Sequence, residues 1–341
     1  MSRMVMQDVS DSVVSRQAPW FSRAVPYLPS IVILIAAMIY GTVSSPYFLN
    51  FTALLVNTGR YVEIGLLALA LTVVIVNGDI DLSVASNLAV SAATMGLMVE
   101  GGVAVEIAAL AALAVGVGLG AINAIFIVGL GLPSLVVTLA TLALYRGLAQ
   151  IMLGDNAVTA YPDEFVGVDQ VSVLGEAVRV PMPLVMFLGF AVLFSFLLTR
   201  TNFGLSCYLT GSNQKAALFS GIKTDRTRAT AFLLAGLMAG AAAVMLTSRL
   251  GSTLSNVGLG LELLAITVVV LGGTDIFGGR GTILGTVIAL FAVMAVRESL
   301  VISNVNGQVQ DAVVGVILIV AIVVPIAVAR WKSRAATRRL R

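Results

Sequence analysis

Ten predominantly apolar stretches recur along the chain, separated by short polar or glycine-rich breaks. They run Leu28–Ser45, Tyr61–Asn77, Leu82–Val99, Val103–Val128, Ser134–Met152, Met182–Thr199, Ala229–Ser248, Leu259–Gly272, Thr282–Ile302 and Asp311–Ala329. A bilayer-spanning helix needs roughly 20 mostly apolar residues, so the pattern predicts an all-α polytopic membrane protein of about ten spans. The second and eighth stretches are short. Each ends in glycine followed closely by aspartate (Gly78-Asp79; Gly272-Gly273-Thr274-Asp275), which predicts helices broken near Gly78 and Gly273. Two connections are long, residues 154–181 and 200–228. The expected organisation is an N-terminal segment 1–27, a permeating body 28–329 and a basic tail 330–341.

Composition agrees with the pattern. Of 341 residues, 59% are hydrophobic and 11% charged, with a mean hydropathy of +1.03. A soluble domain carries about 25% charged residues, so a water-exposed surface is excluded. The absence of histidine removes histidine metal sites and histidine general bases, and Cys207, alone, can form no intrachain disulfide. The net charge of +3 is a topology signal rather than a nucleic-acid signal. With the N-terminus inside, fifteen of the 20 Lys and Arg residues fall on the cytoplasmic side, which predicts both termini there. Loop 154–181 is then external and acidic (Asp155, Asp163, Glu164, Asp169 and Glu176 against Arg179), and loop 200–228 is internal and basic.

Within the inner loop, Asn213 fits a helix N-cap and Gly221 the residue after a helix C-terminus, predicting a two-turn helix between them. Such an element either docks a soluble partner or lies on the membrane surface. Residues 69–78 and 264–273 also echo each other, identical at six of ten positions. Transporters are often built from repeats with discontinuous helices.

Charge inside a membrane is rare and faces a cavity or a partner, which singles out Glu63, Asp79, Asp81, Arg146, Glu262, Arg297 and Glu298. Glu63, Arg297 and Glu298 sit within a turn of a span end, where interfacial placement suffices. Asp81 precedes the span at Leu82, where the helix dipole favours an anion, so capping is its expected role. Asn123 and Tyr145 are suited either to hydroxyl recognition or to interhelical hydrogen bonds. Gly116, Gly118 and Gly120 point to close packing. The candidate solute pathway therefore comprises Asn77, Asp79, Asn123, Tyr145, Glu262 and Thr274. The candidate breaks and cap are Gly78, Asp81, Gly272 and Gly273.

The breaks carry a family resemblance. Gly78-Asp79-Ile80-Asp81-Leu82-Ser83-Val84 is similar to the G-G-I-D-L-S-V segment of sugar-type ABC importer permeases, a family that includes ribose, xylose, rhamnose, galactofuranose and autoinducer-2 systems. Four further stretches resemble it: Leu132-Pro133-Ser134 through Thr138-Leu139 to Tyr145-Arg146-Gly147; Asn213 through Ala216-Ala217 to Ser220-Gly221-Ile222; Val270 to Thr274; and Gly278-Gly279-Arg280-Gly281-Thr282 with Gly285-Thr286. Asp79 and Ala85 depart from it, standing where glycine is common. The resemblance implies a permease subunit of the bacterial inner membrane that pairs with a second permease copy or paralogue. It also implies cytoplasmic ATP-binding subunits and a periplasmic sugar-binding protein. ATP and Mg would act in the partner, with no cofactor in this chain, and Gly211, Asn213, Ala216, Ala217, Ser220 and Gly221 would couple to it. No G-x-x-x-x-G-K-[ST] phosphate loop occurs here. The alternative class is an ion- or proton-coupled secondary transporter working through Asp79, Asp81 or Glu262.

Overall fold

The computed structural model describes residues 27–167, 171 and 180–339. Among them the protein is helical, its only β feature being an isolated bridge between Val158 and Thr253. The helices are α1 (Leu28–Ser44), α2 (Phe51–Thr58), α3 (Val62–Val76), α4 (Val84–Glu100), α5 (Val105–Ala124), α6 (Ser134–Leu153), α7 (Met182–Arg200), α8 (Asn202–Ser212), α9 (Gln214–Phe219), α10 (Thr224–Leu250), α11 (Leu261–Leu271), α12 (Ile283–Ile302) and α13 (Gly307–Arg339). Each predicted apolar stretch coincides with a helix. Six of the described helical runs are long and apolar enough to cross a membrane: Thr52–Val76, Val105–Gly129, Ser134–Leu153, Met182–Arg200, Thr224–Leu250 and Ile283–Ile302. The apolar parts of α1, α4, α11 and α13 are shorter.

The structure adds α2 and α8, which hydropathy alone did not mark. It also begins α10 at Thr224 rather than Ala229: Thr224 and Thr227 are buried, Thr227 donates back to the Lys223 carbonyl, and Arg228 is held by Asp79, so the added turn packs on the protein. The expected acidic loop is described only in part. Asp169, Glu176 and Arg179 lie outside the described residues, while Tyr161 and Phe165 hold the rest over the α10–α11 connection through Thr253 and Ser248.

Every residue of α3 is buried, so this helix is the axis of the bundle. Lipid is as apolar as a leucine side chain, so helices in a bilayer associate through close packing and interhelical polar bonds. Both are present. α5 crosses α10 where Gly116 and Gly120 meet Gly236 and Gly240 backbone to backbone, leaving no room for a Cβ at any of the four. Gly118, grouped with them by sequence, instead faces open space. Asn87 Nδ2 donates to the Gly116 carbonyl at 3.0 Å, and the Thr72 and Thr286 hydroxyls pair at 2.7 Å between α3 and α12.

Candidate functional site: the joint between two broken helices and the inner loop

α3 and α11 end in the same way. Gly78 N–H donates to the Ile75 carbonyl and Asp79 N–H to Val74; Gly273 N–H donates to Val270 and Thr274 N–H to Val269. This reciprocal pair of bonds closes a helix when the residue past its end is left-handed. Gly78 (φ 89°) and Gly273 (φ 84°) supply that conformation. The sequence echo thus carries a shared backbone ending, after which a five-residue link, 79–83, leads into α4 and a glycine turn with left-handed Gly278 and Gly279 leads into α12.

The two breaks meet. Gly279 N–H donates to the Val76 carbonyl at 2.8 Å, and Gly278 packs against the Gly78 backbone. Gly211, in the last turn of α8, lies against both: a Cβ there would strike the Val76 carbonyl and the Gly279 nitrogen. Tyr208 on the same helix donates its hydroxyl to the Gly281 carbonyl at 2.8 Å. The inner loop therefore touches both breaks at one place.

Immediately beyond Gly211 comes α9. Asn213 Oδ1 accepts from Ala216 N–H at 3.0 Å, and Gly221 (φ 82°) closes the helix with bonds to Leu218 and, through Ile222, to Ala217. Both expected caps are thus in place. Ala216 and Ser220 are exposed, but Ala217 is buried, so its small side chain seats α9 on the protein instead of facing a partner. The side chains presented outward are Leu218 and Phe219, the latter 90% exposed.

Asp79 does not stand free. Arg228 at the start of α10 donates from Nε to Asp79 Oδ2 at 2.8 Å and from a terminal nitrogen to Oδ1 at 2.7 Å. Such a fork fixes orientation as well as distance. By sequence Arg228 belongs to the basic flank of the inner loop, and no local pattern links it to Asp79. Asp81 also differs in detail. Its Oδ1 accepts from Ser83 N–H at 2.8 Å and Ser83 Oγ at 2.7 Å, one turn before α4 begins at Val84, so it orders the entry to the helix rather than occupying the N-cap itself. Ser83 Oγ in turn accepts from Asn123 Nδ2 at 2.8 Å, and Tyr145 donates to the Leu119 carbonyl at 2.9 Å and to Asn123 Oδ1 at 3.4 Å. Asn123 and Tyr145 are therefore buried partners in an interhelical network.

The six pathway candidates do not converge. Asn77, Asp79 and Thr274 lie at the joint, where Asn77 and Thr274 are buried with side-chain polar atoms that have no partner among the described residues. Asn123 and Tyr145 form the network. Glu262, half-buried in the first turn of α11, lies at the opposite end as an electrostatic neighbour of Arg146. Arg146 itself donates to the carbonyls of Ser255 and Val257 and reaches Ala85, tying the α10–α11 connection to α4.

That opposite end holds a feature the sequence did not disclose. Arg249 Nε donates to Glu63 Oε1 at 2.8 Å, and this pair with Arg60 and Asn256 lines a cleft of about 280 Å³ walled by Ile64, Leu246 and Leu261. Glu63 was expected only at an interface. Glu298, in the same expectation, accepts from Asn57 and the Tyr61 hydroxyl, and Arg297 pairs with Asp311. Among the described residues no His, Cys, Asp and Glu cluster could hold a metal.

Comparison with known proteins bears on this architecture directly. Residues 54–322 match the family described as branched-chain amino acid transport system / permease component. The autoinducer 2 import system permease proteins LsrD of Escherichia coli K12 and Shigella flexneri are each 36% identical over 298 residues, covering 86% of this chain and 89% of the relative. That of Salmonella paratyphi A is 33% identical over 311 residues, covering 89% and 92%. No solved structure matches. An all-helical membrane chain, two matched broken helices and a capped inner-loop helix fit this group, and the chain belongs to that permease family as the permease component of a sugar-type ABC importer.

Proposed function

We propose that this permease carries a sugar-like solute of the autoinducer-2 class across the bacterial inner membrane, powered by separate ATP-binding subunits that seat on α9. The solute class rests on the names of the relatives. The single observation that carries the docking reading is α9 itself: a capped two-turn helix whose Leu218 and Phe219 project outward while Ala217 is buried. Large exposed apolar side chains at the centre of a small patch are the usual anchors of an interface. Ten spans, both termini in the cytoplasm, a second permease copy or paralogue and a periplasmic sugar-binding protein complete the proposed assembly. Fifteen basic residues on one side support that orientation. ATP and Mg act in the partner. The joint transmits the stroke, and its candidates from sequence, Asn77, Gly78, Asp79, Gly211, Gly273 and Thr274, act there as mechanical rather than solute-contacting groups.

Phe219→Asp tests this reading. The variant inserts at the wild-type level, because α9 lies outside the bundle core, but ATP-binding subunits no longer co-purify and uptake of autoinducer 2 stops. Co-purification at wild-type yield would remove α9 from the interface. Uptake of leucine instead of autoinducer 2 by the wild-type complex would reassign the solute.

A further inference from the structure

We propose that Asp79 and Arg228 are the positioning pair that carries inner-loop movement into the first helix break, an inference that rests on the docking reading above. α9 and α10 are joined by only four residues, Ser220 to Lys223, and Arg228 lies one turn into α10. A displacement of α9 therefore reaches Arg228 with little slack. Asp79 is the first residue past the left-handed Gly78 that ends α3 and begins the five-residue link, 79–83, into α4. The pair thus spans from the element next to the docking helix to the point where α3 and α4 separate.

Two neutral hydrogen bonds, Gly279 N–H to the Val76 carbonyl and Tyr208 to the Gly281 carbonyl, hold the glycine turn after the second break but do not reach α10, and the remaining contacts act in one direction. Gly211 against Val76, and Gly278 against Gly78, are backbone van der Waals contacts. These resist compression steeply but yield to separation, since dispersion attraction between single atom pairs is tiny. A transporter that alternates between two states must also be pulled back. The Asp79–Arg228 fork resists separation: its side chains are 4% and 15% exposed, and parting them leaves a charge buried without its partner. Asp225 and Asp81 are the other carboxylates that act on these two groups. Asp81 is held by Ser83, and Asp225 is an electrostatic neighbour of Arg228, whereas Asp79 receives its 2.7 and 2.8 Å hydrogen bonds. The stroke is therefore tied to the break through Asp79.

The test uses the full importer complex in proteoliposomes, with spin labels at Lys223→Cys, exposed in the α9–α10 link, and at Leu97→Cys near the outer end of α4, in a Cys207→Ala background. Vanadate trapping of the ATP-binding subunits is expected to change the label separation in the otherwise wild-type chain. Asp79→Asn and Arg228→Gln are expected to abolish that change and to lower autoinducer 2 uptake about tenfold, within the range of site-to-site couplings, while ATP hydrolysis continues. The charge-reversed double variant Asp79→Arg/Arg228→Asp restores both. Arg228→Lys keeps the charge without the fork, accumulates normally and transports at an intermediate rate. Unchanged label movement and uptake in either neutral variant would overturn the proposal, as would a double variant that accumulates but stays uncoupled. A wild-type complex whose labels move without autoinducer 2 uptake would overturn the solute assignment and leave the positioning pair standing.

Discussion

At both ends of the antiparallel pair α3 and α10, an arginine of α10 meets a carboxylate on the α3 side, yet the two ends are built differently. Arg228 and Arg249 lie about 30 Å apart along α10 at 1.5 Å per residue. At the Arg228 end the pair is forked, its carboxylate directly follows the left-handed Gly78, and neither residue lines the neighbouring cleft of about 380 Å³ bounded by Arg226 and Thr227. At the Arg249 end the arginine is more exposed, 23% against 15%, and the pair lines a cleft of about 280 Å³. The same chemistry serves a tight mechanical junction at one end and an accessible surface at the other. Burial and backbone approach, not residue type, decide which it becomes.

Four experiments break or sharpen that contrast. The largest effect is all-or-none and fixes which end faces the cytoplasm. Phe219→Cys in a Cys207→Ala background is expected to react with a membrane-impermeant maleimide in inverted vesicles and not in spheroplasts. Cys207 itself will stay unlabelled on either side, because it is buried and burial pushes its thiol up to about 12, leaving almost no thiolate at neutral pH. Labelling of Phe219→Cys from outside would invert the assignment.

Next in size is the joint. Gly211→Ala places a methyl group against two backbone atoms that cannot rotate away. Folded protein, followed by fluorescence-detected size exclusion after heating, is expected to fall by about 3 kcal/mol or more, as for severe overpacking. Gly118→Ala meets nothing within 4 Å and should stay within about 0.5 kcal/mol of wild type. Equal effects would show that the glycines at the joint are not there for close approach.

The outer pair comes third. Glu63→Gln leaves Arg249 without its carboxylate, but Arg249 is partly solvated, so about 1–2 kcal/mol is expected, below the 3–5 kcal/mol of a fully buried pair. The same thermal assay on Asp79→Asn should show the larger loss. A reversed order would mean that the outer end is the tighter junction.

The smallest effect concerns the entry to α4. Asp81→Asn keeps an acceptor for Ser83 and should be mild, whereas Asp81→Leu strands Ser83 N–H and weakens the link to Asn123, costing about 1–2 kcal/mol. If Asp81→Leu is stable yet uptake is lost, Asp81 acts in the solute pathway.

What the sequence determined by itself is local. Long apolar stretches place the helices, because a bilayer demands internally satisfied backbone over about 20 residues. Gly78, Gly221 and Gly273 mark helix ends, because a left-handed residue there closes the last turn, and Asn213 marks a start for the converse reason. All of these are legible within a few residues of chain, and so was the family, through motifs strung along it.

Tertiary structure alone decided which faces meet. In a membrane both lipid and neighbouring helices are apolar, so hydropathy does not separate the fully buried α3 from α6, most of whose residues remain accessible. For the same reason it gave no sign that Ala217 turns inward or that Gly118 faces open space. Arg228 and Asp79 are 149 positions apart and Arg249 and Glu63 are 186 apart. Nothing local distinguishes an arginine that marks the cytoplasmic side from one that grips a helix break. That distinction arises only when folding brings the carboxylate within hydrogen-bonding distance and removes the water that would otherwise screen it.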